Sequence, residues 1–528
     1  MKKSYIISAM FAIVMVFGMS CEDLEERPTS VLAPEGLFNT PTDLQSGVNG
    51  AYSFLCDENF YGRKLSLALL VRGDMCGIGD PSTAAYRQEC DKMAMSVNNN
   101  AFVDISWPMG YKILAAVNQV INAKDLVSGS QEEIDGVVGQ AYFIRAHIHY
   151  VMVRLYGKFI YMDGSNILNP YDEVESEVDD IYAGIISDLE LAAAGLPDVP
   201  VDRFHPGKAA AYGMLASVYL TRGEWQKAYD NAKEVIDNAG KYNVGLEADY
   251  YDLFDPAVSS NEILWELRFN ANDSYEKVDG SLGGSNSGTD QVTSITGPRG
   301  DERFKALHTD AFGWSALVPE LSVYSTWNGK DYRKAVSLDT AITYQGAENY
   351  SYTNWGTISQ NVARPHIAKY FRATGESGLR NGVNTGPSLR DSNTKQIILR
   401  YAEVLLIAAE AAVELGDNAS AVTYVNMVRA RARAAAGAGD AKYPPSAVPA
   451  DISGTVTWED VVEERRLELA FEGGRWYDIV RRKMGNVFSG AAPALENRTF
   501  NPAKDYLFPK YQVDVTLLKG LNQNPGYN

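Results

Sequence analysis

The chain has 528 residues, a hydrophobic fraction of 45% and a formal charge of −19 at pH 7. The apolar share is that of a globular protein with a full core. The acidic balance excludes nucleic-acid binding through general electrostatics, because such a body repels a phosphate backbone, and it repels an anionic membrane surface as well.

The first element is a leader. Lys2 and Lys3 precede an apolar run, Ile6 to Phe17, that is too short to span a bilayer as a mature helix. Gly18, Met19 and Ser20 lead into Cys21, and acids follow at once at Glu22, Asp23, Glu25 and Glu26. This anatomy predicts a lipoprotein signal peptide over 1–20, cleavage before Cys21, and acylation of Cys21, so that lipid tethers the remaining body. An ordinary secretory leader with Cys21 as a bystander is the alternative. Removing the leader, which carries two lysines and no acid, leaves a charge of −21.

Three cysteines remain: Cys56, Cys76 and Cys90. One pair can close, with Cys76 and Cys90 nearest in sequence, or all three are buried free thiols; spacing does not decide. No CxxC occurs, which excludes a zinc ribbon or a thioredoxin site. The stretch GIGDPSTAAYRQE (77–89) reads as a loop between helical blocks and offers Asp80, Tyr86 and Arg87.

Helices follow. In QAYFIRAHIHYVMVRL (140–155), Ile144, Ile148, Val151 and Leu155 form one stripe at spacings of four, three and four. Residues 176–194 are helical by pattern. From Lys208 to Thr221, Ala211, Leu215 and Val218 repeat the stripe, and from Ile397 to Leu415 so do Tyr401, Leu405, Ala408 and Ala412. Tyr219-x3-Gly223-x4-Ala228-x3-Ala232-x2-Val235 aligns with Ala412-x3-Gly416-x4-Ala421-x3-Val425-x2-Val428. Each reads as a helix, a glycine turn and a second helix whose small residues face the first. This is the grammar of tetratricopeptide-like helix pairs, which must stack to bury their apolar faces.

Residues 240–395 differ. They are rich in Gly, Asn, Ser, Thr and aromatics, carry no sustained helical stripe, and include the loop-like VDGSLGGSNSGTDQ (278–291). The helical pattern resumes at Ile397 and again over 458–483. The result is a mainly α chain: a scaffold over about 40–240 and 395–485, interrupted by an irregular insertion. Loops on a rigid scaffold are where binding sites sit.

The run ERRLELAFEGGRWYDIVRR (464–482) sets Glu464, Glu468 and Glu472 on one face, which suits glycoside hydrolysis by paired carboxylates. Arg465, Arg466, Arg475, Arg481 and Arg482 are interleaved, however. The spacings from Arg465 to Glu468 and from Asp478 to Arg482 predict ion pairs along a helix. Arginine lowers a carboxyl pKa, the wrong direction for a general acid, so the run reads as a structural network. His147 and His149 are two apart and point to different faces. No HExxH, GxSxG, P-loop or strand-borne GxGxxG occurs, so no cofactor or metal is expected.

Several stretches together resemble the SusD/RagB family of nutrient-binding lipoproteins of Bacteroidota. They are Trp107-x3-Tyr111 leading to Asn118, then QAYFIRAHIHYVMVRLYG, GKAAAYGMLASVYLTRGEWQKA and LRYAEVLLIAAEAAVELG. Asn426 and Arg429 in YVNMVRARA, ERRLELAFEGGRWYDIVRR and the ending YLFPKYQVDVTLLKGLNQNPGY complete an ordered set over almost the whole mature chain. The resemblance implies one SusD-like domain over 21–528, with about four helix pairs cradling an irregular loop and small-strand region. It implies a SusC-type TonB-dependent outer-membrane barrel as partner and an oligosaccharide as the usual ligand, with some relatives handling peptides. The acids after Cys21 resemble the export tag of surface lipoproteins in these bacteria.

Sugar rings present C–H patches that pack on aromatic faces, while their hydroxyls need polar partners. Trp225 and Trp476 sit in helical motifs and, with Trp107, Trp265 and Trp458, read as core. Trp314, Trp327 and Trp355 fall in the irregular region beside Tyr324, Tyr344, Tyr350 and Tyr352. The expected glycan contacts are Trp314, Trp355, Trp327, Tyr344 and Tyr352, with Asp80, Tyr86 and Arg87 from the earlier loop. Packing beneath a loop is the alternative for each tryptophan, and PELSVYSTW around Trp327 also resembles a family helix. The expected protein is a non-catalytic, surface-facing outer-membrane lipoprotein that captures oligosaccharide. The rivals are a peptide-binding relative, a surface glycosidase and a purely structural repeat scaffold.

Overall fold

The computed structural model describes residues 37–80, 82–98, 100–165, 173–256, 258–269, 290–297, 315–339, 365–370, 394–433, 445–489 and 498–527. The leader with Cys21, and Trp314, Tyr344, Tyr352 and Trp355, lie outside them.

Helices build the scaffold in a stack of pairs. The first pair is α1 (Pro41–Leu55) on α4 (Val103–Ala123), with α2 (Lys64–Arg72), strand β1 (Cys76–Ile78) and α3 (Ala85–Asp91) between them in sequence. The second pair is α5 (Gln131–Tyr156) on α6 (Val178–Gly195), and the third is α7 (Lys208–Arg222) on α8 (Trp225–Asp237). Each pair packs on the next: α4 on α5, α6 on α7. Helix α1 starts with a reciprocal cap in which Thr40 accepts from the Asp43 N–H at 3.3 Å and Asp43 accepts from the Thr40 N–H at 2.9 Å.

Helix α5 is enclosed by α4 on one side and α6 on the other. Its predicted stripe of Ile144, Ile148, Val151 and Leu155 is buried, and so are His147 and His149 on its other faces. His147 Nε2 meets the Tyr61 hydroxyl at 2.8 Å, while the His149 ring stacks on Tyr161 at 4.2 Å. Burial drives the His147 pKa down to about 3 and His149 well below its ordinary value, so both are neutral core groups.

After α8 come α9 (Ala239–Tyr242) and β2 (Ile263–Arg268), then α10 (Val292–Thr296), β3 (Leu317–Pro319), α11 (Leu321–Thr326), α12 (Tyr332–Ser337), β4 (Leu338–Asp339) and β5 (His366–Ile367). Strand β6 (Lys395–Arg400) then pairs antiparallel with β2 and returns the chain to the scaffold. The helix expected from Ile397 therefore starts later, as α13 (Tyr401–Glu414); Ile397 to Arg400 are strand. Helix α13 packs on α8 and against α14 (Asn418–Arg433), which makes the fourth pair.

The two matched sequence copies are the third and fourth pairs. Gly223 at φ 72° and Gly416 at φ 78° take the left-handed conformation that ends each first helix. Ala228, Ala232 and Val235 in one copy, and Ala421, Val425 and Val428 in the other, are sealed at 0% exposure. The small side chains let the paired helices close on each other.

The helical run 458–483 divides into α15 (Trp458–Glu468) and α16 (Arg475–Arg481), broken where Phe471 and Gly473 adopt φ of 64° and 89°. A last short helix, α17 (Gln512–Leu517), follows. Trp107, Trp265 and Trp476 are core residues as expected. Trp225 and Trp458 are only partly buried, each with the Arg482 guanidinium about 5 Å away, at 4.9 and 4.8 Å. Cys56, Cys76 and Cys90 are buried free thiols, and burial pushes the Cys56 and Cys90 pKa values up to about 12. No helix among the described residues is long and apolar enough to cross a membrane.

Candidate functional site

The irregular region is fastened at one place. The segments 270–289, 298–314, 340–364 and 371–393 lie outside the described residues, but the chain on either side of each is described. Ser315 N–H donates to the Gly297 carbonyl at 2.9 Å, joining the two ends of 298–314. Strands β4 and β5 pair Asp339 with His366 and so join the ends of 340–364. These two stems touch, because Ser315 Oγ lies 2.8 Å from His366 Nε2.

The other two stems meet beside them. Thr293 Oγ1 donates to the Tyr370 carbonyl at 2.7 Å and lies 3.5 Å from Thr394 Oγ1, at the two ends of 371–393. Thr394 also donates to Asp290, the residue that follows 270–289. Asp290, Thr293, Ser315, His366 and Thr394 are all buried. A buried polar knot thus fixes both ends of 298–314, 340–364 and 371–393 and the re-entry point of 270–289, and every member has a partner, as a polar cluster in a core requires. Two of those segments carry the nominated aromatics Trp314, Tyr344, Tyr352 and Trp355.

The stretch expected as a loop over 77–89 adjoins this knot; of its described residues only 79–80 and 82–84 lie outside regular elements, since Gly77 and Ile78 belong to β1 and Tyr86 and Arg87 to α3. Strand β1 pairs with β3, Cys76 opposite Pro319 and Ile78 opposite Leu317. Gly79 N–H donates to the Ala316 carbonyl at 3.0 Å, and Ala316 N–H to the Ile295 carbonyl at 3.0 Å. Asp80 is buried and shapes a turn, accepting from Ser82 N–H at 2.9 Å and Ser82 Oγ at 2.7 Å. Tyr86 and Arg87 are half-buried. The Tyr86 hydroxyl accepts from Lys64 Nζ and Arg87 Nε, both at 3.2 Å, and Phe102 packs edge-on against its ring at 4.8 Å. Burial pushes the Tyr86 pKa up, but the Arg87 and Lys64 cations outweigh it and hold the phenol below its usual value. The structure thus brings the loop and the aromatic-bearing segments' stems together, with Lys64 added to the set.

Arg498 was not legible as part of this region. Its Nη2 donates to Cys76 O, Glu320 Oε1 and Asp91 Oδ1, each at 2.6 Å, and Nη1 donates to Gly73 O at 2.6 Å. It ties β1 and the base of the 77–89 loop to the C-terminal stretch. One guanidinium serves two carboxylates here, Glu320 buried and Asp91 partly exposed. Burial pushes Glu320 up to about 8 despite Arg498, with Asp91 and Asp74 adding to the rise.

Trp327 does not join the site. It is buried in the main core, and its Nε1 donates to Asp331 Oδ2 at 3.2 Å, four residues on, at the cap of α12. Its indole lies at the end of α11, an apolar anchor between two short helices.

The carboxylates of 464–472 are locked by arginine, but the partners are not the neighbours that spacing predicted. Glu468 accepts from Arg400 Nη1 at 2.6 Å, from Arg333 Nη1 at 3.0 Å and from Arg431. Glu464 accepts from Arg333 at 2.6 Å and Arg429 at 2.7 Å. Glu472 accepts from Lys369 at 2.7 Å and Arg400 at 2.9 Å. Arg465 reaches Asp478 and Glu403 instead of Glu468, and Arg482 reaches Glu410 and Glu414 instead of Asp478. Burial pushes the Glu468 carboxyl up, yet Arg431, Arg400 and Arg333 outweigh it and hold it well below the usual range. Glu468 and Glu472, both held below the usual carboxylate range by their cations, stay ionised, which suits a core rivet and not a proton donor. Among the described residues, no cluster of three or more His, Cys, Asp or Glu side chains is arranged to hold a metal ion.

Stacked helix pairs with loop stems fastened to a buried knot define a helical-repeat scaffold protein. Comparison with known proteins agrees and gives the family. The chain belongs to the SusD family: the model described by that name matches residues 261–527, and one described as "Starch-binding associating with outer membrane" matches 23–220. It is 40% identical to SusD-like protein P2 of Formosa agariphila over 98% of this chain and 99% of that one. It is 25% identical to a SusD-like protein of Bacteroides ovatus over 79% of this chain and 73% of that one. Among solved structures, a SusD homologue from Bacteroides thetaiotaomicron superposes with a TM-score of 0.76 at 19% identity, covering 93% of this chain and 98% of that one. Surface glycan-binding protein A of the same species, in complex with laminarihexaose, gives 0.73 at 18% identity, covering 92% and 100%.

Proposed function

We propose that this protein is a non-catalytic glycan-binding lipoprotein of the outer cell surface. It captures oligosaccharide and passes it to a SusC-type TonB-dependent barrel in the outer membrane. The observation that carries the reading is the buried knot that fastens four segments at one place beside the 77–89 loop. Trp314, Trp355, Tyr344 and Tyr352 belong to two of these segments, and their indole and phenol faces suit sugar C–H surfaces. Lys64, Arg87 and the Tyr86 hydroxyl supply polar partners at the edge. The family description associating with the outer membrane and the laminarihexaose complex of a fold relative support the ligand class and the location. Cys21 carries the lipid anchor.

Titration calorimetry of the body from residue 22 against a panel of neutral oligosaccharides is expected to give saturable heat with at least one of them. No new reducing ends should appear on long incubation. Absence of binding across the panel, or hydrolysis, sinks the reading. In cells, Cys21→Ala should move the protein from the membrane to the soluble fraction; a variant that stays with the membrane shows that lipid at this cysteine is not the anchor.

A further inference from the structure

A cavity of about 470 Å³ opens where the C-terminal ends of α5 and α7 meet α16 and the 502–507 turn. It shares no residue with the buried knot or the 77–89 loop. In a chain of charge −19, its lining holds Arg154, Arg481, Lys483 and Lys504 and no acid. Arg481 is compensated by Glu410 and Asp478. Among the described residues the other three cations have no carboxylate partner, and the acids adjacent in sequence to the cavity wall, Glu177, Asp179, Asp478 and Asp505, are taken by Lys158, Arg222, Arg481 with Arg465, and Arg72.

Arg154 is held in a vice. Its guanidinium carbon lies 3.5 Å from the ring centroid of Tyr150 and 3.5 Å from that of Tyr477. Its Nε donates to the Tyr150 carbonyl at 2.9 Å. These contacts fix the plane of the side chain, and among the described residues neither terminal nitrogen has a hydrogen-bond partner. Tyr477 lines the same cavity, and its hydroxyl is shut off from solvent without a hydrogen-bond partner among the described residues. A clamped guanidinium with its fork open matches the two oxygens of a carboxylate or sulfate, and prior immobilisation removes much of the entropy loss on binding. Val153, Val178, Pro502 and Leu507 give the cavity an apolar wall suited to a ring-sized body.

We propose that this cavity is a second ligand site, which takes a ring-sized organic oxyanion, a carboxylate or a sulfate ester, on the Arg154 fork. Lys483 and Lys504 add charge at its rim. The site is independent of what the loop-bearing face binds.

The test is calorimetric titration of the soluble body with sodium glucuronate, glucose 6-sulfate and glucose. The two anions are expected to bind and glucose is not, and affinity should weaken as salt rises from about 50 to about 300 mM. Binding of only one anion supports the site and identifies its chemistry. Arg154→Lys keeps the charge and loses the fork, so it should weaken binding about tenfold. The double variant Lys483→Ala/Lys504→Ala alters side chains outside the core and should weaken binding about threefold; it decides the matter if Arg154→Lys does not fold. Trp314→Ala should leave this affinity unchanged, which separates the fate of this site from that of the glycan face. No heat with either anion, equal heat with glucose, or unchanged affinity in both the lysine variant and the double variant overturns the proposal and leaves Arg154 as a packing element between helices.

Discussion

Glu468→Gln is expected to destabilise the protein by about 3–5 kcal/mol, a large fraction of the roughly 5–15 kcal/mol that holds an ordinary domain folded. The glutamine is nearly isosteric, so the loss is electrostatic. Arg333, Arg400 and Arg431 converge on this carboxylate, and all are buried. With the charge removed, Arg333 keeps Asp331 and Glu464 and Arg400 keeps Glu262 and Glu472, but Arg431 keeps Glu262 alone, and each guanidinium loses a buried charged acceptor that water cannot replace. Urea denaturation of the two proteins at neutral pH is the measurement; a difference under about 1 kcal/mol would mean that Glu262, Asp331, Glu464 and Glu472 suffice to hold the arginines. The effect also has a pH signature. The folded carboxyl titrates below its ordinary 4.5, so its stabilisation is fully present above that value and is lost as pH falls toward the folded pKa. The gap between wild type and variant should therefore narrow only below about pH 4.

Alanine at Trp314 and Trp355 should do the opposite. Each is expected to weaken glycan binding by about 30-fold, the worth of an aromatic anchor of about 2 kcal/mol, with the melting temperature unchanged. The reason lies in the stems. Among the described residues, the hydrogen bonds that join the ends of 298–314 and of 340–364 involve Gly297, Ser315, His366 and the β4–β5 pair. Trp327→Ala is the internal control. Its side chain is 3% exposed and bonded to Asp331, so its removal should cost about 3–5 kcal/mol of stability. Should Trp314→Ala and Trp355→Ala melt like Trp327→Ala, those indoles are core residues and the aromatic platform does not exist.

The helix pairs were legible because their signal is local. Gly223 and Gly416 mark the turns, and the small residues that follow fall at fixed spacing on the face that meets the partner helix. Strand β6 was not legible. The run from Ile397 to Leu415 is apolar almost throughout, and a short apolar stretch has no period to tell strand from helix; only the pairing with β2, over a hundred residues upstream, decides it. The acidic and basic run at 464–482 shows the same limit. That it would form an ion network was readable, because arginine and glutamate were interleaved. Its partners were not, because Arg333 and Arg400 come from elsewhere in the fold, and helix-neighbour rules see only residues three or four apart. The convergence of loop stems left no trace in sequence at all. Asp290, Thr293, Ser315, His366 and Thr394 are ordinary polar residues until the fold sets them side by side.

The ladder between Ile263–Arg268 and Lys395–Arg400 has a consequence for how such a protein can diversify. It makes the intervening excursion a cassette with its two ends clasped. The entropy of closing a loop rises only with the logarithm of its length, about 0.6 kcal/mol per doubling. The stretches between the stems can therefore be lengthened or trimmed at little cost, while Trp327, Arg333 and the coils that bear the stability are inherited untouched.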